Sequence, residues 1–138
     1  MSTVDPKQVK QSFNGVEITG YASGTFLSIT SEDGFEKDRG SDGGIDYINK
    51  NANDLDVVCT LKQTSESNLA LSALHELDKV SNAGIGAYLF DDLQGDSRVF
   101  APIARIMKRP DLSYSDTMES REWLIGTGTA IYICGGNI

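Results

Sequence analysis

Apolar and polar positions alternate along most of this chain, and one stretch alone departs from that period. Val16-Glu-Ile-Thr-Gly-Tyr21 alternates and breaks at Ser23-Gly24. Thr25–Thr30 resumes the pattern, with Leu27 and Ile29 on one face and Ser28 and Thr30 on the other. Asp33-Gly34 is a hairpin signal, because glycine accepts the positive φ of a tight turn, and Phe35–Arg39 is the expected return strand. Gly40-Ser-Asp-Gly-Gly44 marks a second, mobile loop. Ile45–Lys50 and Leu55–Gln63 read as further strands around the polar Asn51–Asp54 turn, with Val57, Cys59 and Leu61 facing one way.

The period changes over Ser67–Val80. Ala70, Ala73, Leu74, Leu77 and Val80 recur at three- and four-residue spacing and predict a helix buried on that stripe. Ser67 is the expected N-cap, and Asn82 with Gly84 the stop. Strand patterning returns at Ile85–Asp91, turns at Asp92–Asp96, and runs again over Val99–Lys108, where Pro102 marks an edge or a bulge. Arg109-Pro-Asp111 is a turn. A last strand, Glu119–Cys134, puts Trp123, Ile125, Ile131 and Ile133 on one face and the small Gly126, Gly128 and Ala130 on the other. The fold expected is mainly β with one α-helix: two packed sheets or a small barrel, the helix covering one side.

Length fits one domain spanning 1–138, with residues 1–12 as a flexible N-terminal arm. Met1–Gln11 shows no apolar run of a secretory signal, and no stretch approaches a membrane span. The formal charge of −8 argues against a phosphate-binding surface, which would need clustered Lys and Arg. Cys59 and Cys134, far apart in apolar alternating runs, read as buried free thiols.

Candidate chemistry is sparse. His75 stands alone on the helix with no acid or thiol at metal-ligand spacing, so an ordinary histidine explains it. Asp38–Gly43 has the outline of a calcium loop but lacks the third-position acid, and Asn49 stands where a bidentate Glu belongs. Carboxylates are numerous, but abundance is not a catalytic pair, and no Gly-rich phosphate loop opens a helix. Neither enzyme, cofactor nor metal is expected. A monomeric β-sandwich binding module would carry a platform of aromatics; here Tyr21, Phe26, Phe35, Tyr47, Tyr88 and Trp123 are scattered through strands, which favours packing.

Phe13-Asn-Gly-Val-Glu-Ile-Thr-Gly-Tyr-Ala, Gly24-Thr-Phe-Leu-Ser-Ile, Glu32-Asp-Gly-Phe and Gly40-Ser-Asp-Gly-Gly occur in order. Leu61-Lys-Gln-Thr-Ser-Glu-Ser-Asn, Leu71-Ser-Ala-Leu and Arg121-Glu-Trp follow them. Together, from Phe13 to Gly136, they resemble a family of phage structural proteins, the tail tube subunits of long-tailed bacteriophages of the contractile kind. The resemblance implies two packed β-sheets plus a helix, six copies forming a ring with a continuous inner β-barrel, and rings stacking into a hollow tube for the genome. It implies a virion component, made in the host cytoplasm. Its partners would be further copies, a sheath if the tail contracts, a tape-measure protein, and baseplate and terminator proteins. The related alternative is the inner tube of a contractile injection or secretion device.

In that setting the exposed Gly40, Ser41, Asp42, Gly43 and Gly44 loop is the candidate for reaching an adjacent ring. Acids on the channel wall would let double-stranded DNA slide past without binding, since screening confines repulsion to about 8 Å. Glu17, Glu32, Asp33, Asp46 and Asp56 are the candidate wall acids, with Ser28, Thr30, Thr127 and Thr129 as neutral, low-friction neighbours.

Overall fold

A computed structural model describes residues 8–93 and 95–136 of the chain. Val9–Phe13 (β1) and Val16–Glu17 (β2) form a hairpin turned by Asn14-Gly15, both at positive φ, as a two-residue primed turn requires. The expected arm over 1–12 is therefore corrected: Val9–Ser12 are paired in β1, and residues 1–7 lie outside the described residues. Leu27–Ser31 (β3) is followed by Phe35–Arg39 (β4), Ile45–Asn49 (β5) and Leu55–Lys62 (β6). The helix Ser67–Ser81 (α1) then leads to Gly86–Asp92 (β7), Arg98–Lys108 (β8), Ser120–Thr127 (β9) and Ile131–Ile133 (β10).

The strands form one eight-stranded sheet in the order β2-β1-β7-β8-β9-β6-β3, with β10 on β8, and a separate two-stranded ribbon, β4-β5. Two packed sheets or a closed barrel were expected; among the described residues no barrel closes. The large sheet instead curls on itself. Three strands separate β1 from β6, yet Gln11 of β1 bonds Cys59 of β6 across the core. Phe13, Leu61, Leu71, Tyr88, Trp123 and Ile125 fill the space between, all essentially inaccessible. Past β2 the chain meets β6 first at the Tyr21–Leu61 bridge, with bonds from Ala22 N–H to Thr60 O, Lys62 N–H to Gly20 O and Thr60 N–H to Phe26 O, and then along β3.

Asp33-Gly34 does not turn β3 back onto β4. β3 pairs with β6, and β4 with β5, so residues 27–62 are one long antiparallel hairpin, interrupted where it leaves the sheet. Gly34, with Asn51 at φ 53°, marks that interruption, and Lys50 N–H to Gly34 O bridges it. The turn chemistry was real, but it serves a kink.

The bulge expected at Pro102 is present. Tyr88 faces Ala101 and Gly86 faces Ala104, so Pro102 and Ile103 together oppose Ala87, and the missing proline N–H costs no ladder bond. The bulge also breaks the last strand. β9 pairs with β8 beyond it and β10 before it, while Gly128 N–H turns to Ile103 O and Ala130 N–H to Asn53 O. Trp123 and Ile125 are buried as expected, but Ile131 and Ile133 are exposed. Gly126 does permit close approach: a Cβ there would fall 2.7 Å from Cγ of Met107.

Helix α1 ends at Asn82, in the left-handed conformation, its N–H on Asp78 O. Its start and its face differ from expectation. Glu66 occupies the N-cap position without a side-chain bond, and Ser67 is the first helical residue. The Ser67 hydroxyl donates to Glu17 O and accepts from Thr19 N–H. The buried stripe is Ser67, Leu71 and Asp78, with Leu74 partly covered, whereas Leu69, Leu77 and Val80 are exposed. Asp78 carries an ion pair to Arg105 at 2.9 Å. Two polar anchors have thus rotated the helix away from its most apolar stripe.

Candidate functional site

The surfaces with most unmet chemistry are the ribbon, the outer face of the curled sheet and the connection between β8 and β9. Every residue of β4 and β5 is exposed, Phe35 and Tyr47 each at 69%. A lone two-stranded hairpin is marginal in water, so such a ribbon is built to meet something else. Its tip is a hydrogen-bonded turn. Gly40 N–H bonds Gly44 O at 2.8 Å, Gly43 N–H bonds Gly40 O, and Gly44 N–H bonds Asp42 Oδ1. Gly43, at φ 89°, supplies the left-handed step. One Asp42 oxygen is given to the turn, and no metal-holding group of acids, histidines or cysteines occurs among the described residues.

Across the outer sheet face, Ser12, Leu89, Phe100 and Ile131 stand directly opposite one another on β1, β7, β8 and β10. The three apolar members are exposed. The next row is Lys10, Asp91, Arg98 and Ile133, with Arg98 and Asp91 ion-paired at 3.4 Å. An apolar band bordered by charge is the make-up of an interface, not of a solvated face.

The five candidate acids are all exposed, and four come from one region. Glu32 and Asp33 lie at the kink, where Asp33 Oδ1 accepts from Gly34 N–H. Asp46 is on β5 directly opposite Asp38, and Asp56 is on β6 opposite Thr30 and Gly126. Glu17 is not with them; it sits on β2 at the other end of the sheet order, 3.8 Å from Lys10. Thr127 is spent on structure, accepting from Leu55 N–H and donating to Gly128 O.

Inside the sheet lies a polar cluster that the sequence reading missed. The Gln11 amide is buried, its Nε2 donating to Cys59 Sγ at 3.2 Å and its Oε1 accepting from the Tyr88 hydroxyl at 2.6 Å. Burial pushes the Cys59 thiol up to about 12 and the Tyr21 phenol to about 12, and Tyr88 well above its ordinary value. A thiol so held stays protonated and is no nucleophile. Cys59 is the buried free thiol expected; Cys134 is free but exposed, which corrects the second half of that expectation. His75 is half-buried on α1, its Nδ1 without a hydrogen-bond partner among the described residues.

No protein-family model matches the chain. Its fold is shared with solved parts of a contractile injection system. The sheath/tube terminator of an extracellular contractile injection system, PVC, aligns at TM-score 0.63, 9% identity, over 97% of this chain and 99% of that one. The sheath–tube complex of the same system aligns at TM-score 0.61, 9% identity, over 99% and 93%. The curled sheet is thus a fold shared with these assemblies, and the sequence assigns the chain to a class, the phage structural proteins. In sequence the chain is 30% identical over 145 residues to Structural protein ORF10 of Pseudomonas phage KPP10, covering 99% of this chain and 84% of that one. The chain belongs to that family of phage structural proteins: it is a component of the virion and not an enzyme.

Proposed function

We propose that this chain is the subunit of a phage tail tube. Six copies close a ring, rings stack into a hollow conduit, and the chain's acid excess keeps the conduit from binding the DNA that passes through it. The observation that carries this reading is the amount of apolar surface a single copy leaves uncovered on separate faces, the Leu89–Phe100–Ile131 row and the ribbon. Two different faces on one chain support contacts of two kinds, one closing a ring and one extending a filament. The sheet ends on β2 and β3, two unlike edges suited to pairing with neighbours. The wall acids of this reading are Asp46, Asp56, Glu32 and Asp33, with Glu17 on a different strand edge. A sheath would lie outside, a tape-measure protein inside during assembly, and baseplate and terminator proteins at the ends.

Likeness to the PVC terminator supports a second reading, a capping ring in a phage tail or in an injection device. Mass photometry of the purified chain separates the two. A tube subunit gives a ladder in steps of six times 14.9 kDa, whereas a terminator gives one such species and no multiples. A chain that stays monomeric, alone and with baseplate initiator added, contradicts both.

A further inference from the structure

The strand register sorts the ribbon's side chains by charge. Phe35, Lys37 and Arg39 of β4 face Asn49, Tyr47 and Ile45 of β5, so one face is apolar and cationic. Glu36 and Asp38 face Ile48 and Asp46, so the other face is anionic. Asp38 directly opposite Asp46 is a like-charge pair, which weakens the ribbon when it stands alone. Packing Phe35, Ile45 and Tyr47 against a surface would offset that.

A surface of matching chemistry lies on the same chain. The connection Asp111–Glu119 carries exposed Leu112, Tyr114 and Met118 among Asp111, Asp116 and Glu119, and it contains no Lys or Arg. It is a pre-shaped stretch. Ser115 Oγ bonds Glu119 Oε1 at 2.9 Å, Glu119 N–H bonds Gln63 Oε1 at 3.0 Å, and the buried Arg121 guanidinium stacks 5.4 Å from the Tyr114 ring centroid.

We infer that the cationic, apolar face of one copy's ribbon seats on the Asp111–Glu119 connection of a second copy, with Lys37 and Arg39 meeting Asp111 and Asp116. The occupant is another copy because the two surfaces are unlike and complementary in both charge and apolar content, and one chain carries both. Such a head-to-tail contact propagates from copy to copy. It leaves Glu36, Asp38 and Asp46 outward, free to line a channel. This inference rests on the tube reading and adds the residues that join one copy to the next.

The test is charge reversal, read by the fraction of folded protein that pellets as assembled particles, with circular dichroism and thermal melts as the fold check. Lys37→Glu with Arg39→Glu lowers that fraction at least about tenfold, as does Asp111→Lys with Asp116→Lys, because like charges then face each other. The two pairs combined restore assembly. Glu36→Gln with Asp46→Asn assembles as the unmodified chain does. Folded single-pair variants that assemble normally, or that fail to recover when combined, overturn the contact while leaving the tube reading intact. Normal assembly with loss of DNA binding in the Lys37/Arg39 variant also overturns it, assigning that face to phosphate. An unmodified chain that never assembles removes the tube reading itself.

Discussion

Gln11 joins β1 to β7, its neighbour in the sheet, and across the core to β6, which β1 does not reach by backbone pairing. Its amide holds the Cys59 thiol and the Tyr88 hydroxyl in a space with no water-facing atom to spare. Gln11→Leu keeps the volume but strands the Tyr88 hydroxyl, so unfolding free energy falls by about 1–3 kcal/mol. A shift of the urea midpoint reports it, and an unchanged midpoint would contradict the network. The same cluster sets an alkaline limit. The neutral forms of Cys59 and Tyr21 are favoured in the fold, ordinary 9.0 and 10.0 having risen to about 12 in both. The unfolded chain therefore loses its protons first. These two groups add no pH dependence well below pH 9.0, where both states keep the protons, and they make stability decline as pH climbs through 9.0 toward about 12. Melting temperature across that window checks the sign, and a rise above pH 9.0 would contradict it. None of this was legible in sequence, because a lone Gln before an alternating run carries no pattern signal until a curled sheet brings β6 against it.

Among the elements, those with a strong period were legible and their partners were not. α1 was found with nearly its true ends, since apolar spacing and Asn82 mark it, but apolar counting chose Leu77 and Val80 over Ser67 and Asp78. Tertiary polar partners, Glu17 O, Thr19 N–H and Arg105, decided the face. The β1–β2 hairpin had a signal that went unread, Asn14-Gly15 between apolar runs. So did the ribbon's charge sorting: Glu36-Lys37-Asp38-Arg39 alternates in sign at the period of a strand, which places the two signs on opposite faces. Pairing of β3 with β6 was beyond local reading, because Asp33-Gly34 serves a kink as well as a turn. The tip assignment belongs at this scale. The bonds that close the tip stay within Gly40–Gly44, so deleting Ser41–Gly44 leaves the sheet folded, with a far-ultraviolet spectrum close to that of the full chain. Stacking is lost, and abundant long tubes from the variant would remove the tip from the inter-ring contact.

At the scale of the molecule, one copy is stable enough to hold a core yet leaves apolar side chains on two faces and segregated charge on a projecting ribbon. Composition alone, with 20 acids against 12 Lys and Arg, argued against phosphate binding and for a surface that repels DNA. The proposed ring has no local signature. Rings are made by pairing edges, and an edge strand looks like any other until its neighbours are known. The direct test is electron microscopy of the purified chain at high concentration, with end-on class averages. The tube account predicts six-fold rings around an open channel, stacked side-on into tubes of uniform width. Closed discs without a channel, or particles of another symmetry, would contradict it.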